Sequence, residues 1–247
     1  MTSRVVGFFL IGLMAVALIG CSKKTYEKSP QQLINEGVNS YRDGNYDDAA
    51  DAFSRLKQRF PYSRFSLLAE IRLADAYYRS KKYKDAAMAY ADFIRMHPRN
   101  QAVIYALYQL GMCWYNRIST PDRDQTSARR AARAFGRLMK AYPKSIFAAR
   151  AKGKLDLCVA NLAAHEFMIG NYYYNTGHYK AALARFIYLV KHYPDTGQYH
   201  QTLDMIRKAR AKIAKQKPRR GRRGRTIKPR PKLPTPVPLK TKPASGS

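Results

Sequence analysis

The sequence predicts an all-α solenoid of about four to five helical repeats, followed by a disordered basic C-terminal tail. Two observations carry this. Tyr46 and Pro61, Tyr83 and Pro98, and Tyr179 and Pro194 are each 15 residues apart. A small residue, Gly37, Ala74 or Gly170, stands nine residues before each of those tyrosines. Self-similarity at a period in the thirties is the mark of stacked helix pairs, here the 34-residue tetratricopeptide unit.

In that numbering the first unit places Gly37, Gly44, Tyr46, Ala49, Phe53 and Pro61 at positions 8, 15, 17, 20, 24 and 32. The second supplies Ala74, Tyr77, Tyr83, Ala86, Tyr90 and Pro98, and the fourth Gly170, Tyr173, Gly177, Tyr179, Ala182, Phe186 and Pro194. The third is imperfect. Its Gly111 and Trp114 match the first helix and Ala131, Phe135 and Pro143 the second, with an eight-residue insertion in the turn around Ser119 to Thr126. Small residues at positions 8 and 20 let two antiparallel helices approach, large ones at 11 and 24 fill the space beside them, and proline stops the second helix. The stretch from Pro143 to Pro194 is longer than one repeat, which predicts an extended helix at about Ile146 to Ala164 as a rigid spacer. The predicted divisions are a signal at 1–20, a linker at 21–31, repeats at 32–66, 67–103 and 104–145, the extended helix with repeat four at 146–198, a helix at 199–216 and the tail at 217–247.

At the N-terminus, Arg4 precedes an apolar run from Val5 to Ile19, and Leu18-Ile19-Gly20-Cys21 follows the pattern of a bacterial lipoprotein signal. The run is short of the about 20 residues that span a bilayer. Cys21 is the expected site of diacylglycerol and palmitate attachment, and each buried methylene then adds about 0.8 kcal/mol of membrane affinity. Ser22, rather than an aspartate, follows the cysteine and points to the outer membrane. An uncleaved anchor is the other reading of these residues, and it too puts the body in the periplasm of a Gram-negative cell.

The chain carries a formal net charge of +30. From Arg207 to Ser247 there are 16 Lys or Arg and no acid, and seven of the 13 prolines lie between Pro218 and Pro243. That composition predicts disorder from about Lys217 and attraction to polyanions such as headgroups, lipopolysaccharide phosphates or wall polymers. A plain solubility tail is the alternative, and no dedicated nucleic-acid site is expected.

Position 12 is tyrosine in all four units. Tyr41, Tyr78, Tyr115 and Tyr174 are therefore expected as a ladder along the concave groove, with Arg42, Asp75 and Arg79 beside them. Tyrosine offers a broad apolar face and one hydroxyl at small rotamer cost, which suits an extended aromatic peptide. Partly buried packing is the competing role. No catalytic residues, metal site or cofactor are expected: His97 and His192 precede repeat-ending prolines, His178 is in a turn, and His165 and His200 lack an i+4 partner. Cys113 and Cys158 have apolar neighbours and read as buried thiols, with a disulfide open as the alternative.

The lipobox, Phe60-Pro61-Tyr62-Ser63, Arg95-Met96-His97-Pro98, Asp122-Arg123-Asp124, Ala141-Tyr142-Pro143-Lys144-Ser145 and Tyr193-Pro194-Asp195-Thr196 together resemble the BamD (YfiO/ComL) family over about residues 21 to 214. The resemblance implies a lipid-anchored, non-enzymatic scaffold of the complex that inserts β-barrel proteins into the outer membrane. It implies that N-terminal repeats recognise unfolded substrate segments, and that C-terminal repeats dock the periplasmic domains of a BamA-like barrel-forming subunit alongside other assembly lipoproteins. On that side Arg185 is the expected docking contact, because Phe186 must point inward and its neighbour, about 100° round the helix, outward. The basic tail departs from the family's ending. A polyanion-binding envelope lipoprotein and a pilotin-like secretin assembly lipoprotein remain as alternatives.

Overall fold

The structure is a computed structural model and describes residues 27–216. The signal, Cys21 and the tail from 217 lie outside the described residues. Within them are nine helices and no strand: α1 (Pro30–Arg42), α2 (Tyr46–Arg59), α3 (Ser66–Arg79), α4 (Tyr83–Met96), α5 (Ala102–Tyr115), α6 (Thr126–Ala141), α7 (Ile146–Asn175), α8 (Tyr179–His192) and α9 (Tyr199–Lys215). Each helix packs on the next in the chain, and α5 also meets α7. The core is accordingly divided into successive clusters along a solenoid.

The repeat pattern has a direct steric cause. A Cβ on Gly37 would lie 2.5 Å from Cε1 of Phe53, one on Gly111 2.3 Å from Phe135, and one on Gly170 2.4 Å from Phe186. In three units, then, the position-24 ring occupies the space a Cβ at position 8 would take. In the second unit Ala74 faces Tyr90, whose hydroxyl donates to Asp75 Oδ1 at 2.6 Å.

Helix ends repeat as faithfully. Phe60, His97, Tyr142 and Tyr193, each just before a proline, all have φ between −125° and −138° and ψ between 53° and 58°. Clash with the proline ring bars the α conformation there, so the second helix stops one residue before that position. Between first and second helices, Gly44 and Gly177 adopt φ of 85° and 76°, and Lys81 occupies the matching place with φ 61°. α1 starts on a capping box in which Ser29 and Gln32 satisfy each other's backbone N–H, with Pro30 following.

The third unit replaces the tight turn with Asn116–Gln125, and this loop is fastened to α7. Asn161 Nδ2 donates to the Ser119 carbonyl at 3.1 Å, and Nδ1 of His165 makes a short bond to the Pro121 carbonyl, which requires that nitrogen to carry the proton. Gln125, buried, donates to the carbonyls of Thr120 and Arg123.

α7 differs from the expected spacer. It does not end near Ala164 but runs unbroken to Asn175. No proline interrupts it, and its one late glycine, Gly170, is the seat for Phe186. Its first half therefore covers the third repeat while its second half is the first helix of the fourth. Cys113 and Cys158 are buried free thiols, each pushed up to about 12 by burial.

Candidate functional site: a tyrosine ladder on the first helices

Each ladder tyrosine is half-buried and stands at the end of its first helix, where it leans toward the next unit. Tyr41 lies in the field of Asp75, Arg79 and Arg72 on α3, and Tyr78 in that of Cys113 and Tyr108 on α5, with Asn116 just past the end of α5 bonded to its hydroxyl. Tyr115 lies under Nζ of Lys154 on α7, 4.6 Å from the ring centre. Tyr174 packs in the cluster that includes Ile206 of α9.

Three of the four share one further contact. Tyr41 meets Tyr46, Tyr78 meets Tyr83 and Tyr174 meets Tyr179, edge to face, with centroids 5.3, 5.5 and 5.3 Å apart. Position 12 thus packs across the turn on position 17. In the third unit the insertion removes that partner, and the Lys154 ammonium takes its place over Tyr115. Burial holds the phenols of Tyr41 and Tyr78 above the ordinary tyrosine range, so both are neutral hydrogen-bonding groups near neutral pH.

Position 13 ties consecutive units together. Arg79 donates through Nε and Nη2 to Tyr46 Oη at 3.2 and 2.9 Å, and Asn116 Nδ2 donates to Tyr78 Oη at 2.9 Å. Arg42 is exposed beside Asn39 and Asp43. Asp75 is not on the open surface. Its carboxylate is buried, with Oδ1 accepting from Tyr90 and Tyr105 at 2.6 and 2.7 Å and Oδ2 lying 3.4 Å from Arg72. Its position-9 side chain turns into the helix pair because the Tyr90 hydroxyl needs an acceptor there. Arg72, half exposed, supplies cationic character next to Tyr41 that the sequence reading did not assign. The spacing Arg72, Asp75, Arg79 on one side of α3 was the available signal.

The outward guanidinium expected of Arg185 is not what the structure has. Arg185 Nη1 lies 3.1 Å from Glu166 Oε2, with side chains only 16% and 11% exposed. Position 23 faces the preceding first helix closely enough for α7 to offer a carboxylate, and a buried charge takes the partner within reach.

The result is a half-buried row of aromatic faces, interrupted by arginines and repeated along the solenoid. The YfiO family model, described as outer membrane lipoprotein, matches residues 26–223. This chain belongs to that family. A BamD-named outer membrane protein assembly factor of Neisseria meningitidis serogroup B is 31% identical over 77% of this chain and 75% of its own length. The assembly factor of the same name from Caulobacter vibrioides is 28% identical over 77% of this chain, and the match spans 65% of that protein's length. Among solved structures, the TPR2AB domain of yeast Sti1 in its pHSP90 complex is similar, with TM-score 0.40 and 12% identity over 74% of this chain and 70% of the other. No helix among the described residues of this YfiO-family chain is long and apolar enough to cross a membrane.

Proposed function

We propose that this chain is a lipid-anchored periplasmic scaffold of β-barrel assembly, which helps recognise unfolded barrel proteins and deliver them into the outer membrane. The observation that carries this is the family match over residues 26–223, with relatives named as outer membrane protein assembly factors. The ladder gives the reading a chemistry. Barrel strands alternate apolar and polar residues and carry aromatic girdles, and Tyr41, Tyr78, Tyr115 and Tyr174 present aromatic faces at repeat intervals with Arg42, Arg72 and Arg79 nearby. Nothing in this role calls for catalysis, and the chain acts by binding.

Anchoring falls to Cys21, and the periplasmic domains of a barrel-forming subunit and companion lipoproteins are the expected protein partners. Arg185 contributes to that docking by holding α7 to α8 through Glu166, so that the surface keeps its shape. Depletion of the chain in its own bacterium tests the whole reading: steady-state levels of integral β-barrel proteins should fall while inner-membrane proteins hold. Unchanged barrel levels after full depletion would overturn it.

A further inference from the structure

From Gln125 to Leu155 the chain has nine Lys or Arg and no acidic residue. On α6, Arg130, Arg133, Arg137 and Lys140 follow at spacings of three, four and three, which lines them along one side of the helix. All four are exposed, and the opposite side is the packed one: Ala128, Ala131, Ala132, Ala134, Phe135 and Leu138. Lys144 in the following turn and Arg150 and Lys152 on α7 are exposed as well, with Ile146 between them 63% exposed.

Elsewhere in the described residues some cations pair with acids, as Arg55 does with Glu36 and Lys82 with Asp47. Here Arg129 alone has a carboxylate within 4 Å, that of Asp124 at 3.8 Å. Arg130 lies instead over the Trp114 ring at 4.5 Å, and Lys154 over Tyr115. A row of like charges without counter-charges is self-repelling, and an anionic surface relieves that repulsion.

We propose that this face of α6 and the start of α7 binds a surface of anionic phospholipid headgroups. α6 has no exposed large hydrophobic residue, whereas protein hot spots are desolvated aromatic or arginine anchors seated in pockets. Separate, exposed cations along one side of a helix fit a diffuse charged plane, and exposed Ile146 is placed to enter the headgroup layer beside Lys144 and Arg150. Membership of an outer membrane lipoprotein family puts such a plane within reach of the chain. The contact would set the orientation of the solenoid, a role separate from substrate recognition by the ladder.

The test uses residues 21–247 with Cys21→Ala, so that neither acylation nor the apolar run Val5–Ile19 holds the protein on vesicles. Binding is measured to vesicles of phosphatidylglycerol with phosphatidylethanolamine, and to phosphatidylcholine alone. Arg133→Ser, Arg137→Ser, Lys140→Ser is compared with Lys84→Ser, Arg99→Ser, Lys180→Ser, which removes the same charge from exposed, unpaired sites on other elements. The α6 variant should lose roughly tenfold or more in affinity for the anionic vesicles, the control far less, and neither should bind phosphatidylcholine appreciably. Equal losses would reduce the effect to net charge and overturn the site. Unchanged vesicle affinity in the α6 variant, with loss of an acidic protein from detergent-solubilised complexes, would make the face a protein-docking surface and overturn the lipid assignment.

Discussion

Arg185 and Glu166 form an ion pair at 3.1 Å between α8 and α7, and both side chains are largely shielded from water. Removing one member of a shielded pair leaves the other charge without compensation, which commonly costs about 3 kcal/mol or more. Arg185→Glu, which sets two carboxylates together, should therefore lower the melting temperature clearly. Arg185→Met with Glu166→Leu should recover most of that loss, since a matched apolar pair avoids the stranded charge. A double variant as unstable as the single one would show that the pair matters through something besides charge.

The close contact of Phe53 on Gly37 leaves no room for a Cβ at that glycine as the ring now lies. Gly37→Ala would put a Cβ 2.5 Å from the buried Phe53 ring, which has to shift, and overpacking of this kind costs about 1–3 kcal/mol. Gly136→Ala is the matched control, because nothing lies within 4 Å of its Cβ. Thermal melts should separate the two, with Gly136→Ala neutral or slightly stabilising through its better helix propensity.

Lys81 holds a left-handed conformation that glycine occupies in two sister turns. Left-handed backbone costs a residue with a Cβ about 1 kcal/mol, so Lys81→Gly should stabilise, raising the melting temperature by about 2–4 °C for a chain of this size. A fall in the melting temperature would mean that the lysine side chain supplies more than the strain removes.

The two core thiols impose a pH dependence whose sign is fixed. Burial raises Cys113 and Cys158 to about 12 in the folded chain, against about 8.5 when unfolded. The unfolded state thus releases those protons first, and the stability present below about pH 8.5 is lost as pH rises toward 12. Buried Tyr90, Tyr105 and Tyr193, all raised chiefly by burial, act in the same direction above pH 10. Denaturant midpoints measured at pH 8 and 10 should fall, and the fall should be shallower in a Cys113→Ala, Cys158→Ala variant.

Peptide recognition rests on the middle of the ladder. Tyr78→Ala with Tyr115→Ala should weaken binding of aromatic β-strand peptides by roughly thirtyfold, the effect of losing about 2 kcal/mol of contact. Circular dichroism must first show that the variant is folded, since Tyr78 also supports Tyr83 and Asn116. Unaltered peptide affinity in a folded variant would confine these tyrosines to packing.

Cys21→Ala should leave the chain uncleaved or soluble in the periplasm, as read by fractionation and by mass of the mature N-terminus. Outer-membrane recovery of a normally processed mutant would refute anchoring through that residue.

The repeat architecture was legible because its determinants are local and recur: a glycine under a ring, a proline that bars its predecessor from the helix, and a small residue opposite a large one. Each is a short-range steric rule, so spacing alone exposes Gly37 with Phe53 and Tyr46 with Pro61. The run of α7 to Asn175 was less visible, since uninterrupted helix and two abutting helices have the same apolar period until a breaker appears, and none does. What only the tertiary structure decided is where polar side chains turn. Asp75 and Arg185 occupy helix positions whose period does not determine burial, and each points to a partner on another helix: Asp75 to Tyr90 and Tyr105, Arg185 to Glu166. Sequence specifies the face of a helix, but a charge in low dielectric goes to its nearest complement, and that neighbour exists only once the helices have packed.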